Sequence, residues 1–334
     1  LERLLDAVRS EARLNPVGQA MAYGQVVRAI RNRLNFGRYW ATHQFPRDVE
    51  LMASPILIIG HMRSGTTRVH HLLAADPAHS HTRYCDAWRP VPGAIPGHLT
   101  ARRFKGALDL KMLEALNPWL QSIHPVQSGG VEEELAWLAG ALNHSIYESQ
   151  WRIPSYSAWG EARDPSPIYS EFGRILTADA VHRDLIMKPR VMKAPQFSED
   201  LATLLNQIPN AKIVLPQRDT EAVVKSAGSL TANQFAIQTD NANLDEIEAL
   251  WRHKIALRDE RVASALSGWN GAVTRLHFDE LNADWKSSIE RAYCELGLTL
   301  SDTARARMLK TITKSAKGRH TAHSAQLSRF AEQR

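Results

Sequence analysis

The 334-residue chain has only two cysteines, Cys85 and Cys294, too few for a disulfide framework and at no spacing that marks a metal site. That scarcity fits a reducing, cytoplasmic setting. The longest apolar run, around Pro55 to Ile59, is far shorter than a bilayer span, so no stable membrane insertion is expected. There is no internal repeat, no low-complexity tract and no block of like charge. Lysine and arginine total 41 against 35 acidic residues, a net charge of +6, but the basic residues are scattered without interleaved aromatics. This argues against a nucleic-acid partner and directs the search to a local anion pocket. The G-x-S-x-G turn of acyl hydrolases is also missing.

What is present is a 44% hydrophobic composition, enough for a sizeable core. Residues 1–48 carry helical apolar spacing, as in "LERLLDAVRSEARL", and read as an N-terminal helical segment packed on the core. Four short apolar segments, "PILII", "RVMKA", "AKIVLP" and "VTRLHF", read as buried parallel strands. Helices are expected near 65–75, 198–206, 220–229 and 283–296. This alternation predicts an α/β fold over 49–334, a mainly parallel central sheet flanked by helices. A long helical insertion, about 85–188, separates the first two of these strands, and both "HLTARRFKGALDLKMLEAL" and "VEEELAWLAGALNHSIYESQW" read as helical. It holds five of the nine tryptophans, of which Trp88, Trp119, Trp137 and Trp151 are expected to line an apolar acceptor pocket.

The segment "ILIIGHMRSGTTRVHHLLAADP" joins the first strand to a helix. Gly60 and Gly65 keep the G-x-x-x-x-G spacing of a phosphate loop, but Thr66 stands where nucleotide triphosphatases place lysine. The helix start offers backbone N–H groups and a positive dipole end. Arg63, Ser64, Thr66 and Thr67 add a fixed charge and three hydroxyls. A loop that dispenses with the lysine suits a donor without β- and γ-phosphates.

At these residues the sequence resembles the sulfotransferases that use 3′-phosphoadenosine 5′-phosphosulfate (PAPS), and in particular their bacterial-type branch. "MRSGTT" is similar to their "PRSGTT" phosphosulfate loop, with Met62 in place of proline. The resemblance implies that Arg63, Ser64, Gly65, Thr66 and Thr67 hold the phosphosulfate, with Arg63 also catalytic. It further implies that Arg218 and Ser226, in "LPQRDTEAVVKSAGSL", hold the 3′-phosphate in a second cradle at the donor's other end. Lys193, in "MKAPQF", stands at a lysine-serine-proline segment of the family and is an auxiliary cation. "HFDELNADW" fills a late segment read as structural. Lys317, Gly318 and Arg319 resemble a basic loop that closes over the 3′-phosphate, although Ala325 replaces the tyrosine that usually follows.

For the general base the resemblance offers three positions. His124 ranks first, Glu133 (beside Glu132) second and Asp86 third. His70 and His71 read as structural. The expected activity is in-line transfer of a sulfuryl group from PAPS to a hydroxyl or amine of a small or lipid-like acceptor, releasing adenosine 3′,5′-bisphosphate, with no metal. Two alternatives stay open at this point: a P-loop kinase-like phosphotransferase that has lost its lysine, and a non-catalytic adenosine-bisphosphate-binding module. Acceptor identity and oligomeric state are not written in the sequence.

Overall fold

A computed structural model describes residues 1–43, 52–91, 99–116 and 126–316. Its centre is a parallel sheet of β1 (Ile56–Ile58), β2 (Ser80–His81), β3 (Arg190–Lys193), β4 (Lys212–Gln217) and β5 (Val273–His277), in the order β2-β3-β1-β4-β5. β1 and the middles of β3 and β4 are apolar and buried because helices cover both faces. The four strands read from apolar runs are all present. The fifth, β2, is two polar residues long and carries no apolar signal.

β1 is followed by α3 (Thr66–Ala74), β3 by a 3₁₀ turn (Pro195–Ser198) and a helix at Leu201–Gln207, and β4 by a long helix at Thr220–Gln238. One core layer packs Ile56, Ile58, Val69, Leu72 and Leu73 against Leu281, Ile289 and Met308. The opposite layer packs Leu57, Ile59 and Met192 against Phe172, Leu176, Phe197 and Leu204. In register, Ile58 lies between Lys193 of β3 and Val214 of β4, so the loop leaving β1 emerges between the ends of both neighbours. The chain continues to one side of β1 first and later to the other, which places that loop at the crevice where open α/β sheets bind ligands.

The N-terminal helices α1 (Glu2–Glu11) and α2 (Pro16–Thr42) join the main core through Leu4, Ala7, Ala22, Val26 and Phe36. Asn15 caps α2 by accepting the Gly18 N–H, and its own N–H donates to the Gln238 carbonyl. A β-carbon at Gly18 would meet that carbonyl oxygen at 2.1 Å, so this close approach requires glycine.

Between β2 and β3 run α4 (Tyr84–Ala87), α5 (Leu99–Leu116), α6 (Leu135–Ala139), α7 (His144–Tyr147), α8 (Pro154–Ala162) and α9 (Ser166–His182). The stretch from 131 to 151, expected to be helical, is two short helices. Asn143 breaks it, because its side chain accepts the Ser145 N–H and starts α7 anew. The remaining helices are α10 (Leu201–Gln207), α11 (Thr220–Gln238), α12 (Leu244–Ser267), α13 (Phe278–Ala283), α14 (Trp285–Glu295) and α15 (Asp302–Ala316). Among the described residues no helix is long and apolar enough to cross a membrane.

Candidate active site

The loop between β1 and α3 is held in a shape that few sequences allow. Gly65 has φ +90° and Arg63 φ +70°, both left-handed. A β-carbon on Gly65 would lie 3.1 Å from Phe278, and one on Gly60 would lie 3.0 Å from the Pro216 carbonyl oxygen. Ser64 is buried and its hydroxyl donates to the His61 carbonyl at 2.7 Å, bracing the turn from within. His61 in turn contacts Asp259 of α12 through Nε2 at 2.7 Å. No side chain caps the first turn of α3, so its N–H groups and dipole point into the crevice.

The two cradles expected at opposite ends of a donor meet directly. The Arg63 guanidinium donates through Nε to the Ser226 hydroxyl at 2.9 Å, and Arg218 donates through Nη1 to the Arg63 carbonyl at 2.8 Å. The fold explains the convergence. Arg218 follows the end of β4, Asp219 caps α11 by accepting the Ala222 N–H, and Ser226 lies on the second turn of that helix. Phe278, at the start of α13, lies under the Arg218 guanidinium 4.3 Å from its ring centroid and also abuts Gly65. It therefore braces both the arginine and the loop through a cation–π contact and packing. Read as structural in the sequence, it packs directly against two site residues.

On the other side of β1, Lys193 ends β3 with its ammonium 3.3 Å from the Thr67 hydroxyl and ion-paired to the Glu133 carboxylate. The Lys193 side chain is 2% exposed and that of Glu133 17%. The neighbouring Glu134 is fully buried and accepts the Lys193 backbone N–H at 2.8 Å. Burial pushes its carboxyl up to about 8, although the Lys193 N–H and the Arg190 guanidinium pull it down. It thus supports Lys193 largely as a neutral acid. His70, on the inner side of α3, is held well below its ordinary value by burial and by Lys193, so it stays neutral there.

Several expected residues lie elsewhere. Asp86 is fully buried and caged by Arg83 at 2.5 Å, Arg102 at 3.2 Å and Arg183 at 3.5 Å. Fully buried and held by three guanidiniums, Asp86 is the structural centre of this region. Trp137 and Trp151 do not line a pocket. Both are 1% exposed within the main core, Trp137 against Phe172 and Trp151 stacked on Tyr147 with its N–H on Gln238. Trp88 is half-buried beside Tyr84 and Leu110. His124, Trp119, Lys317, Gly318 and Arg319 lie outside the described residues.

Behind the site is a buried ionic network that sequence reading missed. Glu199, just after β3, receives Arg258 at 2.6 Å, Lys254 at 3.1 Å and His144 at 3.0 Å. His144, Glu161 and Glu199 lie close enough together to hold a cation, and the Lys254 ammonium supplies it, 2.7 Å from Glu161. The pairs are as much as 110 residues apart in sequence, so no local motif announces them.

A phosphate loop at the switch point of a parallel sheet, with two arginines and a lysine around it, defines an α/β enzyme built for an anionic donor. A model of the sulfotransferase family matches residues 55–302, and the chain belongs to that family: it is a transferase of sulfuryl groups. The fold is similar to that of the sulfotransferase STF1 of Mycobacterium tuberculosis H37Rv, with 28% identity and a TM-score of 0.80 over 92% of this chain and 84% of that one. It is also similar to that of STF9 of Mycobacterium avium, with 20% identity and a TM-score of 0.80 over 94% of this chain and 81% of that one. No curated protein sequence matches the chain.

Proposed function

We propose that the protein transfers the sulfuryl group of PAPS to a hydroxyl or amine of a small or lipid-like acceptor. The observation that carries this reading is the meeting of Arg63, Ser226 and Arg218 at one crevice. A donor with a 5′-phosphosulfate and a 3′-phosphate presents two anionic groups to that crevice. The α3 N-terminus, Thr66, Thr67 and Arg63 face the phosphosulfate in this reading, while Arg218 and Ser226, with Lys317, Gly318 and Arg319 from the C-terminal segment, take the 3′-phosphate. The close approach of Arg63 to Ser226 supports one continuous anion site in place of two separate cradles.

Transfer is an in-line displacement. The acceptor oxygen or nitrogen attacks sulfur, the bond from sulfur to the 5′-phosphate oxygen breaks, and the acceptor proton goes to a general base. Charge builds on the leaving phosphate, where Arg63 and Lys193 stabilise it. Glu133 is supported as the base by its carboxylate, 17% exposed beside Lys193 and Thr67, and His124 remains the second residue to test for that role. The ion pair gives Lys193 two partners, Glu133 and the donor, between which it can shift as charge develops.

The chain is read as one α/β domain from 49 to 334 carrying the N-terminal helices, with the 85–188 insertion over the acceptor. Trp88 is the tryptophan whose partial exposure suits an acceptor wall. Two unpaired cysteines, Cys85 buried and Cys294 exposed, support a reducing cytoplasmic location. The reading is tested by incubating the protein with labelled PAPS and a panel of phenols, sterols, sugars, amines and lipids without metal. Sulfated product with at least one class is expected; product that requires ATP and magnesium would refute it.

A further inference from the structure

The outward face of α5 is unlike that of a solvent-facing helix. Phe104, Leu108 and Met112 are 72%, 59% and 58% exposed, and the spacing of four places them along one stripe. Ala101, Ala107 and Ala115 are exposed as well. At about 100° per residue, Lys111 falls within roughly 20° of Phe104 on one side, and Lys105 roughly 20° beyond Met112 on the other. Arg103, also exposed, lies on the other side of the helix with its guanidinium against Gly129. Neither acid between 101 and 115 is exposed: Asp109 is paired with Arg89 at 2.8 Å and Glu114 is half-buried.

The opposite face is already committed to the protein. Leu110 packs with Tyr84 and Val126, Gly106 faces Cys85, and Arg102 reaches Asp86 and the Arg89 carbonyl. The outer stripe is thus a second apolar face, on a helix whose core-facing side is filled. An apolar stripe bordered by lysines, whose stems can lie along it while their ammonium groups reach anionic headgroups, is the pattern of a helix lying in a membrane interface. A second copy fits less well, since an isologous contact would bring the exposed bases of both copies together without a carboxylate to neutralise them.

We infer that α5 docks the protein peripherally on an anionic lipid surface, Phe104, Leu108 and Met112 entering the acyl boundary and Lys105 and Lys111 binding the headgroups. The docking stands apart from the donor assignment. Its corollary, that the acceptor is drawn from the membrane, rests on the sulfuryl-transfer reading.

The test is co-sedimentation with vesicles of phosphatidylcholine containing phosphatidylglycerol, against phosphatidylcholine alone, at low and raised salt. Wild type is expected to bind only the anionic vesicles and to be released by salt. The combined variant Phe104→Ser, Leu108→Ser, Met112→Ser and the variant Lys105→Glu, Lys111→Glu should each partition at least tenfold less, with unchanged circular dichroism and melting temperature. Equal partition of wild type and both variants, or no binding by a monomeric wild type, overturns the inference. A wild-type dimer that the serine variant converts to a monomer would assign the face to a second copy and overturn it too. Sulfation of a water-soluble acceptor should be equal in wild type and serine variant, so loss of docking and loss of catalysis are read separately.

Discussion

Arg63 reaches across from the phosphate loop to donate to Ser226 on α11, 163 residues away in sequence, at 2.9 Å. The loop's cation and the helix that follows β4 therefore form one surface, and Arg218 locks the same point by donating to the Arg63 carbonyl.

Removing either partner should be felt in nucleotide affinity. Arg218→Ala takes away a charge-assisted contact worth about 1.5–3 kcal/mol, so adenosine 3′,5′-bisphosphate should bind roughly 10- to 100-fold more weakly. Ser226→Ala removes a hydroxyl, at about 1 kcal/mol or fivefold. Calorimetric titration measures both, and Arg218→Lys should recover little because the fork geometry and the stacking on Phe278 are lost.

Glu133→Gln separates chemistry from binding. Loss of a general base lowers kcat by about 10²- to 10⁴-fold. Affinity for the bisphosphate should stay within about twofold if the 3′-phosphate contacts dominate binding. The same assay on His124→Ala decides between them: the base is the residue whose loss lowers kcat while leaving nucleotide affinity intact.

Gly65→Ala should disturb loop and fold together. The left-handed backbone costs a side chain about 1–2 kcal/mol, and the new methyl would press on Phe278. A lower melting temperature accompanied by weaker bisphosphate binding is the expected pair of results, whereas Gly24→Ala, in the exposed interior of α2 with open space around it, should leave binding unchanged and raise the melting temperature slightly.

Glu134 makes stability depend on pH in a direction that can be derived. Burial raises its carboxyl from 4.5 to about 8. Between those values the folded chain keeps a proton that the unfolded chain has lost, so this residue's contribution to stability falls as pH rises from about 4.5 to 8. The slope is at most about 1.4 kcal/mol per pH unit. Glu134→Gln keeps an acceptor for the Lys193 N–H and should remove the decline above pH 6. Below pH 6 Asp200, which burial raises to about 6, adds to the fall, while His70 and His81, both lowered by burial, oppose it up to about pH 6.5. Denaturant melts across this range measure both.

Much of this architecture is legible in the sequence because it is local. The apolar runs "PILII", "RVMKA", "AKIVLP" and "VTRLHF" must be buried, and "MRSGTT" fixes a loop by backbone geometry. Arg218 and Ser226 lie eight residues apart on one strand–helix junction, where the resemblance to the sulfotransferases pairs them. What stays hidden is long-range. β2 exists only because Ser80 and His81 find β3. Asp86 reads as a free carboxylate until Arg102 and Arg183 close around it, and the aromatic count of the insertion does not say that Trp137 and Trp151 face inward. Phe278 becomes intelligible only once Arg218 and Gly65 stand beside it.

The central claim is that Arg63, Arg218 and Ser226 together hold one sulfated adenosine nucleotide. The most direct measurement is titration of adenosine 3′,5′-bisphosphate, with a metal chelator present, into wild type and into the Arg63→Ala, Arg218→Ala double variant. Saturable one-to-one binding by wild type and its loss in the double variant is the predicted result. Equal binding by both proteins, or a preference for ATP with magnesium, would contradict it.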